Sequence, residues 1–221
     1  ERLVDVDLLG RAANLLDHQM THRLQGEAAA KVGIRLAAIR LLDNKPDGAL
    51  RALDVAAQQL GRDGDTEMRR QIRLLRARAL SKSGQANEAL SLLSNAGNDP
   101  EVLRLRADIA WNGSVWDEAA KAFGQLIDNE SISKTRPPND YQTTLILNRA
   151  IALNLSGNRT ALDRLRDEYN DLMAQSEKAR LFDLISRPRQ LGMLADRESV
   201  SSLISEVDLF GEFLESYKKI N

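Results

Sequence analysis

The chain has 221 residues, 43% of them hydrophobic and only 4% aromatic, with 31 Lys plus Arg against 32 Asp plus Glu. A formal net charge of -1 offers no global positive field to nucleic acid or an anionic membrane, and the lack of cysteine excludes a disulfide framework, thiolate metal sites and cysteine nucleophiles. No apolar run approaches the roughly 20 residues that span a bilayer, and the chain is long enough to bury a substantial core.

Leu and Ala dominate the apolar set, and the alternation of β-branched and aromatic residues expected of strands hardly appears. Helices are therefore predicted at 5–25, 27–43, 47–60, 66–83, 86–95, 100–112, 115–128, 141–155, 159–174, 176–186 and 196–219, with no strand. Turn residues punctuate them: Asn44-Lys45-Pro46-Asp47, Ser83-Gly84, Gly97-Asn98-Asp99-Pro100, Asn112-Gly113-Ser114 and Ser156-Gly157-Asn158. Such short turns predict antiparallel helical hairpins.

The first helix carries both histidines, in "DHQMTH". A four-residue spacing puts His18 and His22 one turn apart, as in helical zinc sites. On a helical wheel, however, Leu8, Leu9, Ala12, Ala13, Leu15, Leu16 and Met20 form the core-facing side. The histidines lie nearly opposite, in a stripe with Asp7, Arg11, Asn14 and Gln25. Gln19 stands where a zinc protease needs its glutamate base, Asp17 points about 100° from His18, and no third histidine exists. The pair is expected to be solvated, with no metal, cofactor or catalytic residue. Motifs for phosphate cradling, dinucleotide binding or a serine nucleophile are also missing from the sequence.

In the fourth helix, "RRQIRLLRAR" presents Arg69, Arg70, Arg73, Arg76 and Arg78 with no aromatic residue to stack bases. These arginines are expected to pair with neighbouring acids and cover apolar surface with their stems, so no nucleic-acid partner is predicted. Between 128 and 140, "DNESISKTRPPND" lacks periodicity and reads as a surface insertion. At the C-terminal end, Leu203, Val207, Phe210 and Leu214 share one stripe of a predicted capping helix.

Small residues recur at a fixed separation: Ala37 and Ala49, Ala77 and Ala89, Ala107 and Ala119 are each twelve positions apart across a turn. A large apolar residue follows four positions after each second alanine, at Leu53, Leu93 and Phe123. "LRARAL" at 75–80 and "LRADIA" at 105–110 match at an offset of 30. Alanines so placed would let two helix backbones approach closely.

This pattern resembles the tetratricopeptide repeat family, and Gly84, Ala89 and Leu93 in "SGQANEALSLL" fit it best. In three places the chain departs from it: Gly113 falls one position early, Asn44 occupies the first turn, and Arg76 and Arg106 stand at usually apolar positions. Residues 148–165 have the helix, glycine, helix form, with Arg149 opposite Ala161. The resemblance implies an all-α fold, a right-handed α-solenoid of antiparallel hairpins: an N-terminal helix in 1–30, three helix pairs in 31–128, an insertion at 129–140, and a further pair with capping helices in 141–221, all in one helical-repeat domain.

It implies function as well. In such solenoids the first helices line a concave groove that receives a polypeptide. The repeat register puts Arg35, Arg78, Lys82, Arg104, Asp108, Trp111 and Asn148 near that face; Trp111 is expected first to be buried against the neighbouring pair, and to be the groove's anchor where it is not. The clamp by which some family members hold a C-terminal carboxylate needs Lys and Asn at positions that here read Leu74 and Arg78, then Arg104 and Asp108, which disfavours that ligand. The chain is thus expected to be a non-enzymatic protein-interaction scaffold with a protein or peptide partner and no membrane insertion. The alternative is a structural module that self-associates through its terminal helices. A looser likeness, to large bacterial envelope-associated repeat proteins, and the start at Glu1-Arg2-Leu3 imply a segment of a longer bacterial protein, in the envelope or periplasm, or otherwise in the cytoplasm.

Overall fold

The computed structural model describes residues 2–61, 64–132 and 137–187, so the predicted helix at 196–219 and the middle of the 129–140 insertion lie outside the described residues. Within those bounds the protein is all-α. The helices are α1 (Arg2–His22), α2 (Gly26–Leu42), α3 (Pro46–Leu60), α4 (Thr66–Lys82), α5 (Ala86–Leu93), α6 (Pro100–Asn112), α7 (Trp116–Asn129), α8 (Asp140–Leu155), α9 (Arg159–Met173) and α10 (Ala179–Ser186). They group into two compact units, 1–126 and 127–221, with the division in the last turn of α7.

One turn recurs four times, and it explains where the helices stop. At its apex stand Asn44 (φ 53°), Gly84 (φ 79°), Ser114 (φ 55°) and Gly157 (φ 74°), all left-handed. In each case the apex N–H donates to the carbonyl three residues back and the next N–H to the carbonyl five back, as in Lys45 to Arg40 at 2.7 Å and Val115 to Ala110 at 2.8 Å. This double bond satisfies carbonyls that the helix end would leave orphaned. The residue after the apex then accepts the first hydrogen bond of the next helix, from Ala49, Ala89, Ala119 and Leu162 respectively. Three residues therefore separate the two helices at each of these turns.

This geometry agrees with the expected register at one departure and corrects it at another. Gly113 does fall one position before the left-handed residue; its φ is -84° and Ser114 takes the apex. Gly113 is glycine for another reason, since a Cβ there would lie 2.3 Å from Ala86 Cβ and 3.0 Å from the Ile109 carbonyl oxygen. In the fourth hairpin the positions matching the alanine pairs are Ala150 and Leu162, both fully buried, and not Arg149 and Ala161.

In the first unit α1 packs on α2, α2 on α3 and α4, α4 on α5 and α6, and α5 on α6. Ala37, Ala49, Ala77, Ala89, Ala107 and Ala119 are all buried, as are Leu53, Leu93 and Phe123. Gly33, in mid-α2, lets α1, α2 and α3 converge: a Cβ there would sit 2.9 Å from Ala56 Cβ and 3.0 Å from Met20 Sδ. Side-chain caps set several helix starts, as where Asp65 accepts from the Met68 N–H at 2.8 Å and Asp99 from the Glu101 and Val102 N–H groups ahead of Pro100.

The α1 stripe is only partly buried. Ala13 and Met20 face the core, but Leu8 and Leu15 are 59% and 61% exposed. The seven apolar positions span about 160° of the helix circumference, more than packing against α2 covers.

Helix α4 spends its arginines on neighbours. Arg70 bridges Glu101 at 2.7 Å and Asp99 at 3.1 Å, Arg73 donates to the Asn95 carbonyl oxygen at 3.4 Å, and Arg76 pairs with Asp54 at 2.5 Å. Arg106, on α6, likewise reaches Glu118 on α7 at 3.3 Å. Arg76 and Arg106 are thus accommodated at positions the repeat pattern reserves for apolar residues: each extends to a carboxylate on the other helix of a hairpin or on the helix before it.

In the second unit α8, α9 and α10 pack on one another around Ile146, Ile151, Leu162, Met173 and Phe182. A capping box at Asn139 and Gln142 starts α8. Arg166 ties α9 to α10 by donating to Asp183 Oδ1 at 2.7 Å and Ser186 Oγ at 2.8 Å, and Lys178 pairs with Asp140.

Candidate functional site

Three helices of the first unit, α2, α4 and α6, form a groove of about 530 Å³. Its lining repeats with the hairpins. The position one after the small residue of each first helix supplies Ala38, Arg78 and Asp108; the position five after supplies Leu42, Lys82 and Asn112. Two residues before the small residue, Leu75 and Leu105 join the floor, which Leu41 and Ile109 complete. These spacings follow from the helix: one and five residues beyond a buried alanine lie one turn apart on the same side, beside the buried stripe.

The floor is apolar and the rim is polar. Leu41, Leu105 and Ile109 are buried, Leu75 is half-buried, and Leu42 at the edge is 75% exposed. Arg78, Lys82, Asp108 and Asn112 are exposed around them. The Asp108 carboxyl retains open surface yet is held above the ordinary carboxylate range, because partial desolvation in the groove outweighs the attraction of the Arg78 guanidinium. Lys82 Nζ lies 3.4 Å from the amide oxygen of Asn44, the residue at the apex of the first turn.

Of the seven residues predicted for a groove, this one brings together Arg78, Lys82 and Asp108. Arg35 and Arg104 are exposed on α2 and α6 but do not line it. Trp111 is not an available anchor: it is only 8% exposed, its indole meeting Trp116 edge-on at 5.5 Å and Phe123 at 5.8 Å. Asn148 lies on α8 in the second unit and is 3% exposed. Sequence reasoning missed the apolar half, Ala38, Leu41, Leu42, Leu75, Leu105 and Ile109, although the one-and-five spacing from each small residue would have found Ala38 and Leu42.

The histidines are exposed on α1 with ring centroids 5.0 Å apart, and among the described residues no group of three or more His, Asp or Glu side chains could hold a metal ion. No helix among the described residues is long and apolar enough to cross a membrane. Comparison with family models, with curated proteins and with solved structures returns no match.

Proposed function

We propose that the protein is a non-enzymatic interaction scaffold of tetratricopeptide-like hairpins, stacked as a right-handed solenoid, whose first helices receive a polypeptide. The observation that carries this reading is the lining of the groove by equivalent positions of three successive first helices, with an apolar floor inside a polar rim. That combination suits recognition of a peptide: apolar side chains fill the floor while backbone and polar groups meet the rim. Contacts of α2 with α4 and of α4 with α6 support the stacking.

Panning a random peptide library against the full chain tests the reading. Selected peptides should lose binding to a variant whose groove is filled, Ala38→Trp with Ser81→Trp, while circular dichroism shows an intact fold. Equal binding to the filled variant refutes it. A second reading, self-association through α1, is favoured by the exposed Leu8 and Leu15, which lie two turns apart on one side of that helix. Light scattering across concentration, with and without Leu8→Gln and Leu15→Gln, separates the two.

A further inference from the structure

We infer that the occupant of the α2–α4–α6 groove is a short acidic peptide segment bearing leucine-like side chains, with its carboxylates met by Lys82 and Arg78 and its apolar groups by Leu42 and the floor. The inference rests on the scaffold reading and names the partner of that same site. Its first support is charge. Two cations and one anion project at the rim, and the anion, Asp108, already faces one of the cations, Arg78. Among the described residues Lys82 meets a neutral amide oxygen, at the long distance of 3.4 Å. An incoming carboxylate therefore improves on what Lys82 has, whereas an incoming ammonium would have to compete with Arg78 for Asp108.

Its second support is the placement of apolar surface. Leu42 is 75% exposed and stands at the repeat position that Lys82 occupies on the next first helix. The apolar edge and the cationic edge are thus one repeat apart along the groove, the layout a peptide alternating apolar and acidic groups would match. Asp108, exposed at the rim, can accept a hydrogen bond from the N–H groups of an extended peptide backbone. A nucleic acid fits worse: no aromatic side chain lines the groove, and a carboxylate sits among its cations.

The test uses three fluorescein-labelled peptides of one length, titrated into the full chain: one of Leu and Glu, one with Lys in place of each Glu, and one with Ser in place of each Leu. The Leu/Glu peptide should bind most tightly, and its affinity should fall about tenfold on Lys82→Glu or on raising the salt to about 0.5 M. The Leu/Lys peptide should gain affinity for the Lys82→Glu protein. Arg78→Gln is a second variant that weakens the acidic peptide without adding negative charge. Lys82 and Arg78 are exposed, so neither change should disturb the fold.

If the Leu/Lys peptide binds the unmodified chain as well as Leu/Glu does, or Lys82→Glu leaves the Leu/Glu affinity unchanged, the acidic assignment is overturned. Should Ala38→Trp with Ser81→Trp still block a bound peptide in that case, the groove reading survives and only the chemistry of the occupant was wrong. Binding that ignores the filled groove, or no binding by any of the three peptides, overturns the inference together with the reading beneath it.

Discussion

A Cβ placed on Gly113 would lie 2.3 Å from the Cβ of Ala86, so the end of α6 and the start of α5 touch through a missing side chain. Neither methyl can swing aside, and the Ile109 carbonyl oxygen closes the other direction at 3.0 Å. Gly113→Ala should therefore cost about 1–3 kcal/mol by forcing the backbones apart. Urea denaturation should report the loss, and an unchanged midpoint would show that the helices separate freely.

The neighbouring Ser114 makes the opposite prediction. With φ at 55° it carries a Cβ in a conformation that glycine occupies in two of the other three turns. Ser114→Gly should stabilise by about 0.5–1 kcal/mol, the relief of left-handed strain exceeding the entropy lost by a freer chain. Gly84→Ala at an equivalent apex should destabilise by a similar amount; a Cβ there meets nothing, so strain alone would be read.

Trp111 is expected to behave as core. Trp111→Ala should destabilise by about 3–5 kcal/mol through the cavity left against Trp116 and Phe123. Trp111→Phe should retain the fold and leave peptide affinity in the groove unaltered. A large affinity loss with Phe would return the indole to the site.

Arg166 and Arg187 both reach Asp183, but their burial differs. The Arg166 side chain is 23% exposed and also bonds Ser186, whereas Arg187 is 58% exposed. Arg166→Ala should cost about 1–2 kcal/mol by removing hydrogen bonds to Asp183 and to the buried Ser186 hydroxyl, and Arg187→Ala less than about 1 kcal/mol. Equal losses in thermal unfolding would place the energy in charge alone.

Acid should act on the two kinds of carboxylate with opposite sign. Hydrogen bonds from Lys121 and Arg106 hold Glu118 below its ordinary 4.5, and those from Arg187 and Arg166 hold Asp183 below 3.8. Their favourable contribution is complete above those ordinary values and disappears as pH falls through the lowered folded ones. Glu118→Gln should accordingly remove on the order of 0.5–1 kcal/mol at pH 7 and little at pH 2.5. Asp108 is raised, so its contribution favours folding below 3.8 and is lost as pH rises through the folded value. Asp108→Asn should thus raise the unfolding free energy at pH 7 by less than about 1 kcal/mol, seen as a higher urea midpoint, with the gap closing in acid.

What the sequence made legible was whatever depends on the spacing of small residues. The pairs at Ala37/Ala49, Ala77/Ala89 and Ala107/Ala119 are buried, and Arg78, Lys82 and Asp108 fall in the groove because they sit one or five residues from those alanines. The misplacements have local causes. The reason for a glycine at 113, one position before the apex, was not legible, because it answers close approach to Ala86 on the preceding hairpin and not the turn itself. Arg149 and Ala161 misaligned the fourth hairpin because its second position is Leu162, which breaks the small-residue rule. Trp111 lies four residues after Ala107, where the helix turns toward its hairpin partner and not toward the groove.

The apices at Asn44, Gly84 and Ser114 come at unequal intervals, and the second helices differ accordingly, α3 having 15 residues and α5 only 8. Since each turn is closed by its own backbone and the groove draws only on α2, α4 and α6, that length variation falls outside the groove lining. The second helices can lengthen or shorten while the residues that line the groove keep their spacing from each small residue, so the stability of a hairpin and the make-up of its exposed first-helix surface are set by separate parts of the chain.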